Sequence, residues 1–215
     1  MSDSRYIAIE GPIGVGKTSL AKRLAESLES ELLLEDADAN PFLERFYQDP
    51  RGHALPAQLF FLFQRIGQID HLRQADLFSD TRVADFLIQK DRLFAEIVLD
   101  RDELALYDKV YETMAVDAPA PDLVVYLQAP VDTLLFRVAR RGIRYEQRIG
   151  RRYLERLGEA YARFFHDYAD APLLIVNAST IDPINNDTHY QMLLDQIDRT
   201  RSGRHFFNPL VSALA

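Results

Sequence analysis

The sequence contains no cysteine, which excludes disulfides, thiolate catalysis and cysteine-ligated metal sites. It is also short of positive charge, with 25 Lys and Arg against 33 Asp and Glu and a formal net charge of −8. That balance argues against a general binder of nucleic-acid polymers or anionic membranes, but it leaves room for a local arginine cluster that holds small phosphates. No apolar run approaches the roughly 20 residues of a membrane span. The opening stretch MSDSRY lacks the basic and apolar regions of a secretion signal. The expectation is a soluble cytoplasmic protein. Histidines are few and scattered, at His53, His71, His166, His189 and His205, which is not the spacing of metal ligands.

What is present suffices for one sizeable core, since 47% of the 215 residues are hydrophobic. Short apolar runs predict strands over 5–10, 32–35, 82–86, 122–128 and 172–177. Helical patterns separate them, over 18–30, 41–75, 91–115, 131–142, 146–168 and 188–199. Alternation of this kind means an α/β fold, a parallel sheet covered by helices on both faces. A single domain is expected over residues 1–200, followed by a tail, 201–215, with too little pattern to place.

Between the first strand and first helix, Gly11, four residues and then Gly16-Lys17-Thr18 match the nucleotide-binding P-loop in the context that motif requires. Gly11, Gly14 and Gly16 let backbone amides turn onto phosphate oxygens, and the helix starting near Lys17 adds its positive dipole end. Lys17 is expected on the β and γ phosphates of ATP, and Thr18 on Mg²⁺. A merely structural glycine turn explains neither the lysine nor the threonine. A GTPase would add a base-reading NKxD element, which is absent, and a motor or transporter ATPase usually has a longer chain and a Walker B carboxylate.

The strand ends suggest an acceptor. Glu35 closes the second predicted strand and Asp85 falls within the third, in TRVADFLIQKDRLFAE. Carboxyl ends of strands line the crevice of such sheets, so both carboxylates face the place where the P-loop presents a γ-phosphate. One can orient an acceptor hydroxyl and take its proton, and the other can help organise the metal. The plain structural alternative is that Asp85 caps the next helix and Glu35 pairs with an arginine. Arg137, Arg140, Arg141 and Arg144 have helical spacing and would share one broad face, with Gly142 a point of interruption. They read either as a lid over ATP or as a solvated face pairing with Glu146, Glu155 and Glu159. In the region 41–75, Gln58 and Arg65 are seven apart and share a helical face near Phe61, where a glutamine amide could read a base edge. Phe60, Phe61 and Phe63 are otherwise expected in the core.

The stretches IEGPIGVGKTSLAKRL, NPFLERFYQDP, ADFLIQKDRLFAEIVLD, PDLVVYLQAPVDTLLFRVARRGIRYE and YLERLGEAYARFF together resemble the bacterial deoxynucleoside kinases, especially the deoxyadenosine and deoxyguanosine kinase branch. The resemblance runs from Tyr6 to Ile197. It implies a P-loop kinase fold with a five-stranded parallel sheet, an arginine-rich lid and a homodimer. The implied reaction is ATP-dependent phosphorylation of the 5′-hydroxyl of a 2′-deoxynucleoside, with a purine such as deoxyadenosine the expected acceptor. Asp85 corresponds to the acid that deprotonates that hydroxyl, and Glu35 to the second acid near the hydroxyl and the metal. Tyr47 and Glu146 resemble the pair that holds the 3′-hydroxyl. Gln58 would contact the base, Arg65 and Asp91 would complete that network, and Arg137 with Arg141 would belong to the lid, with Arg144 a weaker lid candidate.

Two positions depart from the pattern. Animal-type members carry an arginine after the catalytic acid, whereas Phe86 follows Asp85 here. Phe86 is therefore expected to be buried, and that arginine's contacts are either absent or supplied by another residue, with Arg82 and Arg92 the candidates. His53 stands where those relatives often have a base-pocket tryptophan. The competing readings are a thymidylate kinase, which would need a positive site for an acceptor phosphate, and a non-catalytic ATP-binding regulatory module, which would need no second polar cavity.

Overall fold

The computed structural model describes residues 5–74, 81–114 and 118–209. The expected helix ends at Ala75 and Ala115, and the last part of the tail, 210–215, lie outside the described residues. Six strands form one parallel sheet in the order β2-β3-β1-β4-β5-β6. They are β1 (Tyr6–Glu10), β2 (Glu31–Leu33), β3 (Arg82–Ala84), β4 (Leu123–Gln128), β5 (Leu173–Asn177) and β6 (Arg204–Phe207).

The sheet thus has six strands rather than the expected five, and the added one comes from the tail. β6 is an edge strand in which only Phe207 is buried, so it has no apolar run for a sequence pattern to detect. A turn at Gly203, with φ of 68°, leads into it. The central β1 is flanked on both sides, which is why Ile7, Ala8 and Ile9 form an unbroken buried run.

Helices cover the sheet. α1 (Lys17–Ser27) buries Leu20, Ala21, Leu24 and Ala25, one stripe of a 3.6-residue period. The predicted helix over 41–75 is two helices, α2 (Leu43–Gln48) and α3 (Pro50–Gln74). Asp49 between them is extended, as the ring of the following proline demands. The region 91–115 likewise breaks at extended Leu99 into α4 (Lys90–Val98) and α5 (Arg101–Met114). The apolar residues Leu93, Phe94, Ile97, Val98 and Leu104 pack into the protein's own hydrophobic clusters.

α6 (Val131–Arg141) ends at Gly142, whose φ is 73°. A 3-10 turn, Glu146–Arg148, then leads to α7 (Arg151–Asp167), and α8 (Asp187–Arg199) is capped by the side chain of Asn186. α7 buries Tyr161 and Phe165 against Tyr126 of β4, with the Tyr126 and Phe165 rings stacked at 4.2 Å. Side chains of this size each stabilise the fold by ~1.5–3 kcal/mol through burial. The packing carries the P-loop off the end of β1 and Asp85 off the end of β3, side by side.

Candidate active site

The P-loop leaves β1 in backbone conformations that only glycine adopts easily. Gly11 has φ of 148°, and a Cβ there would lie 2.4 Å from the Leu127 carbonyl oxygen. At Gly14, with φ of 82°, a Cβ would press to 2.8 Å from Val138 of α6. The loop is therefore drawn tightly onto β4 and α6, and it ends at the N-terminus of α1, where Lys17 begins the helix. Lys17 Nζ donates to the Gly11 carbonyl at 2.7 Å, tying the ammonium to its own loop. Burial lowers the Lys17 pKa, and Lys90 lowers it further.

A cleft of about 940 Å³ opens in front of this loop. Its walls bring together Gly14, Gly16, Lys17, Thr18, Glu35, Tyr47, Gln58, Arg65, Asp85, Arg137, Arg141 and Glu146. Gly11 and Asp91 are not on its surface. Asp91, 2% exposed, pairs with Arg65 from behind, and Arg65 also pairs with Glu35. Asp85 has both oxygens engaged, Oδ2 accepting from Thr18 Oγ1 at 2.5 Å and Oδ1 from the Glu35 backbone N–H at 2.8 Å. Burial alone would raise the Glu35 pKa, but Arg65, Lys90 and Lys17 outweigh it and hold the carboxyl at about 2. Burial pushes the Asp91 carboxyl up to about 7 against the pull of Arg65.

Across the cleft, Tyr47 stacks on Tyr145 with ring centroids 5.9 Å apart, beside Glu146. Glu146 Oε1 accepts from Arg141 at 3.2 Å, whereas its buried Oε2 has no partner among the described residues. Burial raises both the Glu146 and the Tyr47 pKa. Arg137 donates to the carbonyls of Val15 at 2.9 Å and Ala178 at 2.8 Å, so it fastens the P-loop to the segment after β5.

The deoxynucleoside kinase family model matches residues 7–201. The chain belongs to this family. Among curated relatives, a deoxyguanosine kinase of Bacillus subtilis is 32% identical over 90% of this chain and 96% of its own. A deoxyadenosine kinase of Lactobacillus acidophilus is 31% identical, covering 90% and 95%. The structure of deoxyadenosine kinase from M. mycoides with bound dATP superposes with a TM-score of 0.78 at 25% identity, over 90% of this chain and 99% of that one.

Several expectations for this deoxynucleoside kinase are corrected by the geometry. The four arginines do not share one helical face, because α6 stops at Gly142 and leaves exposed Arg144 beyond it and off the cleft. His53 does not line the cleft, and its ring contacts the Asp49 carbonyl. Of the three phenylalanines, Phe61 is buried and lines the cleft, while Phe63 is 50% exposed. Neither Arg82 nor Arg92 reaches the site. Arg82 pairs with Glu31, and Arg92 pairs with Glu96 and Asp108 on the surface. Phe86 is fully buried, as expected.

Sequence reasoning passed over Glu10 and Lys90. Glu10 is fully buried and accepts from the N–H groups of Gly11 and Leu87 and from Tyr161 Oη, at 3.0, 2.8 and 2.9 Å. Lys90 Nζ lies 3.1 Å from Glu10 Oε1 and 3.5 Å from Glu35 Oε2. Among the described residues no helix is long and apolar enough to cross a membrane.

Proposed function

We propose that this chain transfers the γ-phosphoryl group of ATP to the 5′-hydroxyl of a 2′-deoxynucleoside, giving ADP and the 5′-monophosphate. The observation that carries the reading is the 2.5 Å contact between Thr18 and Asp85, which sets the donor loop against a carboxylate able to act on an acceptor. Asp85 takes the proton of the 5′-hydroxyl while the new P–O bond forms and the bond to the β-phosphate oxygen breaks, its electron pair leaving with ADP. Lys17 and the P-loop amides hold the donor phosphates, with Arg141 and Arg137 over them. Hard oxygen donors at Thr18, Glu35 and Asp85 suit Mg²⁺, which when bound to ATP would neutralise charge on the phosphates.

The acceptor wall supports a nucleoside. Tyr47 and Glu146 would hold the 3′-hydroxyl, with Glu146 Oε2, unpartnered among the described residues, as the open acceptor. Gln58 would read the base, with Arg65 lining the same cleft and Asp91 behind it. Purine preference rests on the deoxyguanosine and deoxyadenosine kinases among the relatives. Arg65 is already clamped between Glu35 and Asp91, so this guanidinium is not available to an acceptor phosphate, which disfavours a thymidylate kinase. Homodimer formation and a cytoplasmic location belong to the same proposal and rest on the resemblance to the family.

A thermal-shift series tests it. Deoxyadenosine or deoxyguanosine should raise the melting temperature by binding the folded state, and thymidine monophosphate should not. The reverse pattern would reject the reading.

A further inference from the structure

Position 86 supplies no charge to the site. Phe86 packs with Leu33 and Ala84 in a separate apolar cluster and does not line the cleft. The cation comes from four residues further on. The chain turns after Asp85 and starts α4 at Lys90, whose side chain is only 3% exposed yet lines the cleft beside Lys17, Asp85 and Glu35.

Two features set Lys90 apart from a structural counter-charge. First, Glu10 already accepts from Gly11, Leu87 and Tyr161, so three donors satisfy it without the lysine. Second, the lysine bridges from Glu10 toward Glu35, and its 3.5 Å approach to Glu35 is an ion contact beyond hydrogen-bond length. An ammonium has three donors, so it keeps capacity for an anion arriving in the cleft. The charges nearby are the carboxylates of Glu10, Glu35, Asp85 and Asp91 and the cations Lys17, Arg65 and Lys90. Arg65 is committed to Glu35 and Asp91, which leaves Lys17 on the donor side and Lys90 on the acceptor side.

We infer that Lys90 contacts the transferring phosphoryl group from the acceptor side. This rests on the kinase reading above. Lys90 keeps its proton throughout. The P–O bond to ADP breaks, the bond to the 5′-oxygen forms, the hydroxyl proton passes to Asp85, and the ammonium balances charge on the phosphoryl oxygens.

The test is steady-state kinetics with Mg-ATP and deoxyadenosine or deoxyguanosine on wild type, Lys90→Met, Lys90→Arg and the double variant Glu10→Gln/Lys90→Met, with melting temperatures measured alongside. Lys90→Met should lower kcat about 10²- to 10³-fold with a much smaller change in acceptor KM. Lys90→Arg should retain most of the rate. The double variant removes both charges of the buried pair, so it should recover part of the melting temperature that Lys90→Met loses but keep the kcat defect. Recovery of kcat to within a few-fold of wild type in the double variant would overturn the inference, because Lys90 would then only neutralise Glu10. A Lys90→Met effect confined to KM would overturn it too. If wild type itself releases no ADP in response to a deoxynucleoside, the kinase reading fails and this inference falls with it.

Discussion

Thr18 Oγ1 donates to Asp85 Oδ2 at 2.5 Å, joining the first turn after the P-loop to the residue that follows β3. The second oxygen of Asp85 accepts from the Glu35 backbone, so the carboxylate is fixed by two elements before any acceptor arrives. Orientation of this kind matters because phosphoryl transfer needs near in-line geometry. Asp85→Asn keeps the shape and an acceptor oxygen for the Glu35 N–H, while its amide can donate to the Thr18 hydroxyl, but it cannot take a proton. It should lower kcat about 10²-fold or more with ATP binding retained. Near-normal turnover in that variant would remove Asp85 from its role as base.

Lys17→Ala should lower kcat/KM about 10²- to 10³-fold, the scale of losing one donor to developing charge. Full activity with unchanged affinity for an ATP analogue would contradict the P-loop assignment.

Tyr47→Phe should raise the acceptor KM about 2- to 10-fold, the worth of one net hydrogen bond. The same substitution should have no effect on a 3′-deoxy acceptor, since both changes remove one contact. Additive losses would show that Tyr47 does not hold the 3′-hydroxyl.

How much of this was legible beforehand varies by residue. The strands β1 to β5 announce themselves as short apolar runs because both faces of a parallel sheet are covered. β6 could not be read this way, since an edge strand with three exposed residues owes its place to backbone pairing with β5. The P-loop was plain because local backbone geometry requires its glycines. Lys90 was hidden for the opposite reason. Lysine is ordinarily a surface residue, and its meaning comes only from contacts with Glu10 and Glu35, which are far away in the chain. The split at Leu99 was equally silent, since no glycine or proline marks it.

Acid stability should depend on Glu35. Its folded-state pKa is about 2 against an ordinary 4.5, so the unfolded chain binds more protons in that interval. The stabilisation is fully present above pH 4.5 and is lost as pH falls toward 2. Urea unfolding across this window should show a steeper loss for wild type than for Glu35→Gln. Parallel slopes would contradict the ion pairing described for Glu35.

Tyr161→Phe removes the hydroxyl donor to buried Glu10 Oε2. The expected cost is about 1–3 kcal/mol of unfolding free energy, because Glu10 is a buried charged acceptor. An unchanged denaturation midpoint would mean that Gly11 alone satisfies that oxygen.

The central claim is tested most directly by acceptor-dependent ADP release with Mg-ATP, run against the four deoxynucleosides, the ribonucleosides and thymidine monophosphate, with the phosphorylated product identified. The predicted result is conversion of deoxyadenosine or deoxyguanosine to its 5′-monophosphate. Turnover of thymidine monophosphate alone, or ADP release indifferent to every acceptor, would contradict it.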